Sequence, residues 1–122
     1  MAKVDISDGT LTIALSPADK FWSMHGSFHI PLAHVTGAEV VTENGWHFVW
    51  NKLIGTNAPG VKIAGTYFTG DGIIFCDFGN GRNCIEIATQ HERYKKLIVE
   101  LDPDQDRDSI VVQINTARHA LN

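Results

Sequence analysis

The chain has 122 residues, 43% of them hydrophobic, enough for one domain with a real core and no need of covalent staples. Its formal charge of −4 and pI near 5.8 exclude a nucleic-acid binder, which needs basic faces, and weigh against anionic membrane surfaces. No apolar run approaches the ~18–20 residues of a membrane span, and the opening MAKVDISDGT has no apolar signal region, so a cytoplasmic location with two reduced cysteines, Cys76 and Cys84, is expected.

In chain order, residues 3–7 alternate Val4 and Ile6 with polar residues, and Asp8-Gly9 turns the chain into a second strand with Leu11, Ile13 and Leu15 on one face. Ser16-Pro17-Ala18-Asp19 breaks that hairpin, and KFWSMHG at 20–26 has no clear period. A strand over 27–32 ends at Ile30-Pro31, where proline marks an edge or a strand end. One helical turn at Ala33-His34-Val35 leads into a strand over 37–42. Residues 43–60 form a long irregular connection, of the kind that is functional or packed as a lid. It carries Trp46, Val49, Trp50 and Leu53 at helical spacing.

Residues 60–102 read GVKIAGTYFTGDGIIFCDFGNGRNCIEIATQHERYKKLIVELD, four apolar runs of which the first three are divided by glycine turns. Turns of this chemistry predict an antiparallel meander. With Asn80 at the middle of its turn, Phe75 faces Ile85, Ile73 faces Ile87 and Cys76 faces Cys84. Alternation then puts Phe75, Ile73, Ile85 and Ile87 on the core face, with Cys76, Cys84 and Glu86 behind it. Leu97, Val99 and Leu101 join the core face from the last strand. A C-terminal helix over about 103–121 follows, with Asp102 as N-cap, Pro103 in its first turn and Gln105 completing a capping box. Its apolar stripe is Ile110, Val111, Ile114, Ala117 and Leu121.

About seven strands within 3–102, a long loop midway and one terminal helix resemble the pleckstrin-homology-like barrel, and more closely a family of uncharacterised bacterial domains of that type. The segments that carry the resemblance are HGSFHIPLAHVTGAEVV, APGVKIAGTYFTGDGIIFCDFGNGRNCIEIATQ and YKKLIVELDPDQDRDSIVVQIN. Its motifs are Ile30-Pro31, Pro59-Gly60, Gly65-Thr66 and Leu101-Asp102-Pro103. The resemblance implies a mainly β fold, a barrel of antiparallel strands capped by the helix, with residues 1–122 as a single PH-like domain. It implies no particular activity, because its motifs are structural. Phosphoinositide-binding members carry a basic first loop, whereas this loop, Ser7 to Thr10, is acidic.

No spacing in the chain demands catalysis or a metal. His25, His29 and His34 lack the convergent cysteine or histidine partners of a zinc site, and a Cys–His dyad would need His47 or His91 folded back onto a thiolate. No cofactor is assigned. The aromatic residues are more pointed: Trp22, Trp46, His47, Phe48 and Trp50 gather in irregular segments, where they either pack over an end of the barrel as a minor core, the reading with the greater weight, or serve as candidate binding residues in a groove or an oligomer interface. The expected function is therefore a non-enzymatic protein- or peptide-binding module, self-association included. A small-molecule carrier with its pocket under 43–60 is the alternative, and an enzyme ranks last.

Overall fold

The computed structural model describes residues 2–15, 27–41, 63–70, 72–78 and 83–120. The fold begins with a hairpin, β1 (Ala2–Ser7) and β2 (Thr10–Leu15), in unbroken register from Ala2↔Leu15 to Ser7↔Thr10. Asp8 and Gly9 both take positive φ, 51° and 74°, which matches the twist of a two-residue turn to that of its strands. Val4, Leu11, Ile13 and Leu15 are buried, as their alternation predicts. Strand β3 (Phe28–Pro31) adds antiparallel to β2 and completes a three-stranded sheet ordered β1-β2-β3. A 3₁₀ turn at Leu32–His34 then carries the chain into β4 (Val35–Val40).

The second sheet contains β4, β5 (Ile63–Thr69), β6 (Gly72–Phe78), β7 (Cys84–Thr89) and β8 (Lys96–Glu100), in the order β4-β7-β8-β6-β5. This corrects the meander. β6 and β7 are not neighbours: β8 lies between them, parallel to β6 and antiparallel to β7. The reason lies in composition. Leu97, Ile98 and Val99 are all buried, and a strand apolar on both faces is stable in the middle of a sheet. The pairs Phe75–Ile85 and Ile73–Ile87 are therefore not formed, but the face assignment survives because the alternation stays in phase through β8, with Phe75 opposite Leu97 and Leu97 opposite Ile87. The facing of Cys76 and Cys84 does not survive. They stand opposite Ile98 and Glu100, on strands two spacings apart, about 10 Å and beyond the reach of a disulfide. Both are buried thiols.

The fold is thus mainly β with one C-terminal helix, but its two sheets do not close into a barrel among the described residues. At one seam they meet through a parallel bridge, Ala2↔Leu101, and a hydrogen bond from Asp102 N–H to the Ala2 carbonyl (2.9 Å). Within the first sheet Leu32 N–H donates to the Gly9 carbonyl (2.9 Å), which carries the β2–β3 pairing one step past Thr10↔Pro31. Leu11, Ile13, Phe28 and Ile30 of the first sheet form one core with Phe75, Ile85, Ile87, Leu97 and Val99 of the second. Phe28, Phe75 and Tyr94 meet edge to face within it, with ring centres 4.7 to 5.9 Å apart.

Helix α1 runs Arg107–His119, four residues shorter at its start than the capping-box reading expects. Asp106 is its N-cap, accepting the Ser109 N–H at 3.0 Å. Gln105 is not available for a capping box because its amide is bonded to β1, and 102–105 form a turn closed by Gln105 N–H to the Asp102 carbonyl. Ile110 and Ile114 are buried, with Val111 and Ala117 partly so, and the helix packs chiefly on β4. Leu121 lies outside the described residues. No helix among those described is long and apolar enough to cross a membrane.

Candidate functional site: sheet edges and the His34 loop

A strand at the edge of a sheet presents backbone N–H and C=O groups that another chain can pair with, so each edge must be closed or is a template. Two of the four edges are closed by side-chain amides. On β4, Asn115 accepts the Ala38 N–H at Oδ1 (3.1 Å) and donates from Nδ2 to the Ala38 carbonyl (3.0 Å). On β1, Gln105 accepts the Val4 N–H at Oε1 (2.8 Å) and donates from Nε2 to the Val4 carbonyl (2.9 Å). Each amide makes the pair of bonds that a residue of an added strand would make. Arg107 Nη1 extends the closure of β4 by donating to the Val41 carbonyl (3.2 Å). The β3 edge is four residues long and ends in Pro31.

The seven-residue β5 is different. It pairs with β6 from Ile63↔Phe78 to Thr69↔Gly72 and has no second strand beside it among the described residues. The direction of its backbone groups follows from its neighbour. Lys95 N–H donates to the Ile73 carbonyl, so Ile73 points toward β8, and antiparallel alternation turns its partner Phe68 outward. Ala64, Thr66 and Phe68 therefore direct their N–H and C=O away from β6. The strand is held from below by Thr66, whose hydroxyl lies 2.9 Å from the Tyr94 hydroxyl.

The outer face of the five-stranded sheet carries a shallow groove of about 270 Å³, lined by Thr36, Gly37, Glu39, Glu86, Ala88 and Lys96. Glu39 stands opposite Glu86 in the ladder, and Lys96 Nζ lies 3.4 Å from Glu86 Oε1. Next to the groove the face turns apolar and buried, with Ile74, Cys76, Phe78, Cys84 and Ile98. Burial, then the charges of Glu86 and Asp77 and the neighbouring Cys84, push the Cys76 thiol up to about 12. At neutral pH it is a protonated, weakly nucleophilic group, the opposite of the low-pKa thiolate a catalytic cysteine requires.

A third feature was not legible from spacing. His34 Nδ1 lies 2.5 Å from Glu92 Oε2, and the rings of His34 and His91 stand 5.7 Å apart, centre to centre, at 60°. The two segments are tied by Gln90, whose N–H donates to the His34 carbonyl (2.7 Å) and whose Nε2 donates to the Ala33 carbonyl (3.4 Å). His29, grouped with His34 on sequence, instead lies 3.4 Å from the Thr12 hydroxyl on β2. Among the described residues no group of three or more His, Cys, Asp and Glu side chains is arranged to hold a metal ion.

The candidate binding residues Trp22, Trp46, His47, Phe48 and Trp50 all lie outside the described residues, as does the connection 43–60 on which the carrier reading rests. Asn115 and Gln105 were missed as edge closures. Their only sequence signal is an amide beside the apolar stripe, which names no partner. Comparison with protein-family models, curated proteins and solved structures finds no match to this chain.

Proposed function

We propose that the protein is a non-enzymatic binding module of the cytoplasm that captures an extended protein segment by adding it as a strand to β5. The observation that carries the reading is the contrast among edges: β1 and β4 are filled by Gln105 and Asn115, β3 stops at Pro31, and β5 has no strand on its outer side among the described residues. Strand addition of this kind draws affinity from main-chain hydrogen bonds, here the outward groups of Ala64, Thr66 and Phe68. Residues 63–69, IAGTYFT, contain no charge and no proline, the usual devices that blunt an edge. Kinship with the bacterial PH-like domains belongs to the same proposal; two sheets and a terminal helix are compatible with it, and the parallel β6–β8 pair is what it must accommodate.

Ala64→Pro tests the reading, because it removes an outward N–H and spares the bonds to β6. The wild-type chain should retain a protein partner, or copies of itself, in cross-linking pull-downs, and Ala64→Pro should lose that capture with its melting temperature held. Equal capture by the folded variant would place binding elsewhere.

A further inference from the structure

We propose that the segment added to β5 is β5 of a second copy of this chain, paired antiparallel about a twofold axis at Thr66. The inference rests on the strand-addition reading above and names its partner. The outward backbone groups of the strand belong to Ala64, Thr66 and Phe68. Only outward groups can bond across the new junction, so the register must set these residues opposite one another. With the axis at Thr66, Ala64 stands opposite the second copy's Phe68, Thr66 opposite its counterpart, and Phe68 opposite Ala64. An axis at Gly65 leaves Phe68 with no outward residue of β5 to meet, and an axis at Tyr67 leaves Ala64 so. The Thr66 register uses all of them.

The residue types suit the same register. β5 reads IAGTYFT, with small residues before Thr66 and aromatic ones after it. Antiparallel self-pairing therefore sets Ala64 against Phe68 and Gly65 against Tyr67, a small residue opposite each aromatic one. An aromatic residue across from a strand glycine offsets the weakness that glycine brings to a sheet, and threonine opposite threonine is a favourable cross-strand pair. Charge agrees. No residue of 63–69 is charged, so two copies meet without like-charge repulsion. In the sequence Lys62 precedes the strand and Asp71 follows Gly70, so antiparallel order matches flanks of unlike sign and parallel order would match like ones. Thr66 is half-buried, and its hydroxyl contact with Tyr94 (2.9 Å) ties the middle of the strand to the fold before any partner arrives. The pairing also closes. β4, the other edge of this sheet, is occupied by Asn115, so association ends at two copies and does not run on as a fibre.

The test is sedimentation of the intact chain, together with NMR on a mixture of isotope-labelled and unlabelled copies. The wild type should sediment as a dimer that dissociates on dilution. The mixture should show a contact between Gly65 Hα of one copy and Tyr67 Hα of the other, which this register places in a closely spaced pair. Ala64→Pro removes an outward N–H from each copy, so by symmetry the loss counts twice and the dissociation constant should rise at least about tenfold. A wild type that stays monomeric overturns self-pairing; the strand-addition reading survives that result where Ala64→Pro still loses the capture of a different protein. A dimer undiminished in the folded Ala64→Pro variant overturns both. A dimer without the Gly65–Tyr67 contact overturns the proposal, and because that measurement needs no variant it decides the matter even where Ala64→Pro fails to fold.

Discussion

β4 and β5 are the two edges of one five-stranded sheet, and they are finished in different ways. On β4 the chain returns as α1, buries Ile110 and Ile114 in the core, and spends the Asn115 amide and the Arg107 guanidinium on backbone groups of the edge. On β5 the outward groups of Ala64, Thr66 and Phe68 have no strand opposite among the described residues, and the strand is held on its inner side by β6 and by the Thr66–Tyr94 contact. The difference is physical and local. An edge protected by side-chain amides depends on the element that delivers them, so β4 is coupled to the docking of α1. Among the described residues no side chain closes the outer side of β5, and a substitution that removes only an outward backbone donor there should leave global stability nearly untouched.

The largest expected effect is at the coupling itself. Ile114 is fully buried, and Ile114→Asp would place a carboxylate in the apolar contact through which α1 reaches the sheet. An unpaired buried charge belongs to the severe destabilisers, about 3 kcal/mol or more. The denaturation midpoint should fall accordingly. An unchanged midpoint would mean that α1 is not docked through that face.

Asn115→Leu comes next. It keeps the volume and removes both bonds to Ala38, leaving a backbone N–H and C=O without their partners at a cost of about 1–3 kcal/mol. Hydrogen exchange should speed up at the Ala38 amide more than at those of β7 and β8. Uniform acceleration across the sheet would show that the amide serves only global stability and does not close the edge. Gln105→Ala removes the matching pair on β1. That seam also has the Ala2↔Leu101 bridge and the Lys3–Asp104 contact at 3.2 Å, so the loss should be nearer 1 kcal/mol.

These closures also mark the limit of what the sequence makes legible. The first hairpin was readable because Asp8-Gly9 and the alternation on either side are neighbours in the chain. The faces of β6, β7 and β8 were readable because a period of two decides burial whatever strand lies alongside. The pairing was not, since Gly79-Asn80-Gly81 speaks for a hairpin while the choice of β8 as the centre is made by its own double-sided burial. The start of α1 failed for a related reason. Asp102-Pro103 and Asp106 both have cap chemistry, and the choice falls on Asp106 because Gln105 is claimed by Val4, about a hundred residues earlier in the chain. Asn115 with Ala38, and His34 with His91, are long-range meetings that no spacing rule encodes. The aromatic candidates Trp22, Trp46, His47, Phe48 and Trp50 lie outside the described residues, so the fold leaves that part of the reading where the sequence put it.

The smallest effect is expected on β5, and it is the sharpest test of the contrast. Proline inside a sheet is costly when it deletes a ladder bond or forces the backbone, but it is tolerated on the outer side of an edge strand. Ala64 lies one residue in from the start of β5, and its N–H points away from β6 by the alternation fixed at Ile73. Ala64→Pro should therefore cost less than about 1 kcal/mol, since no bond within the sheet is lost. The same substitution at Ala38 would delete the donor to Asn115 Oδ1 and force a ring into a buried position, and should cost at least as much as Asn115→Leu. Paired denaturation curves for the two proline variants decide between coupled and uncoupled edges. Equal losses would mean that the outward side of β5 is as much a part of the folded core as that of β4, and strand addition there would have no room to occur.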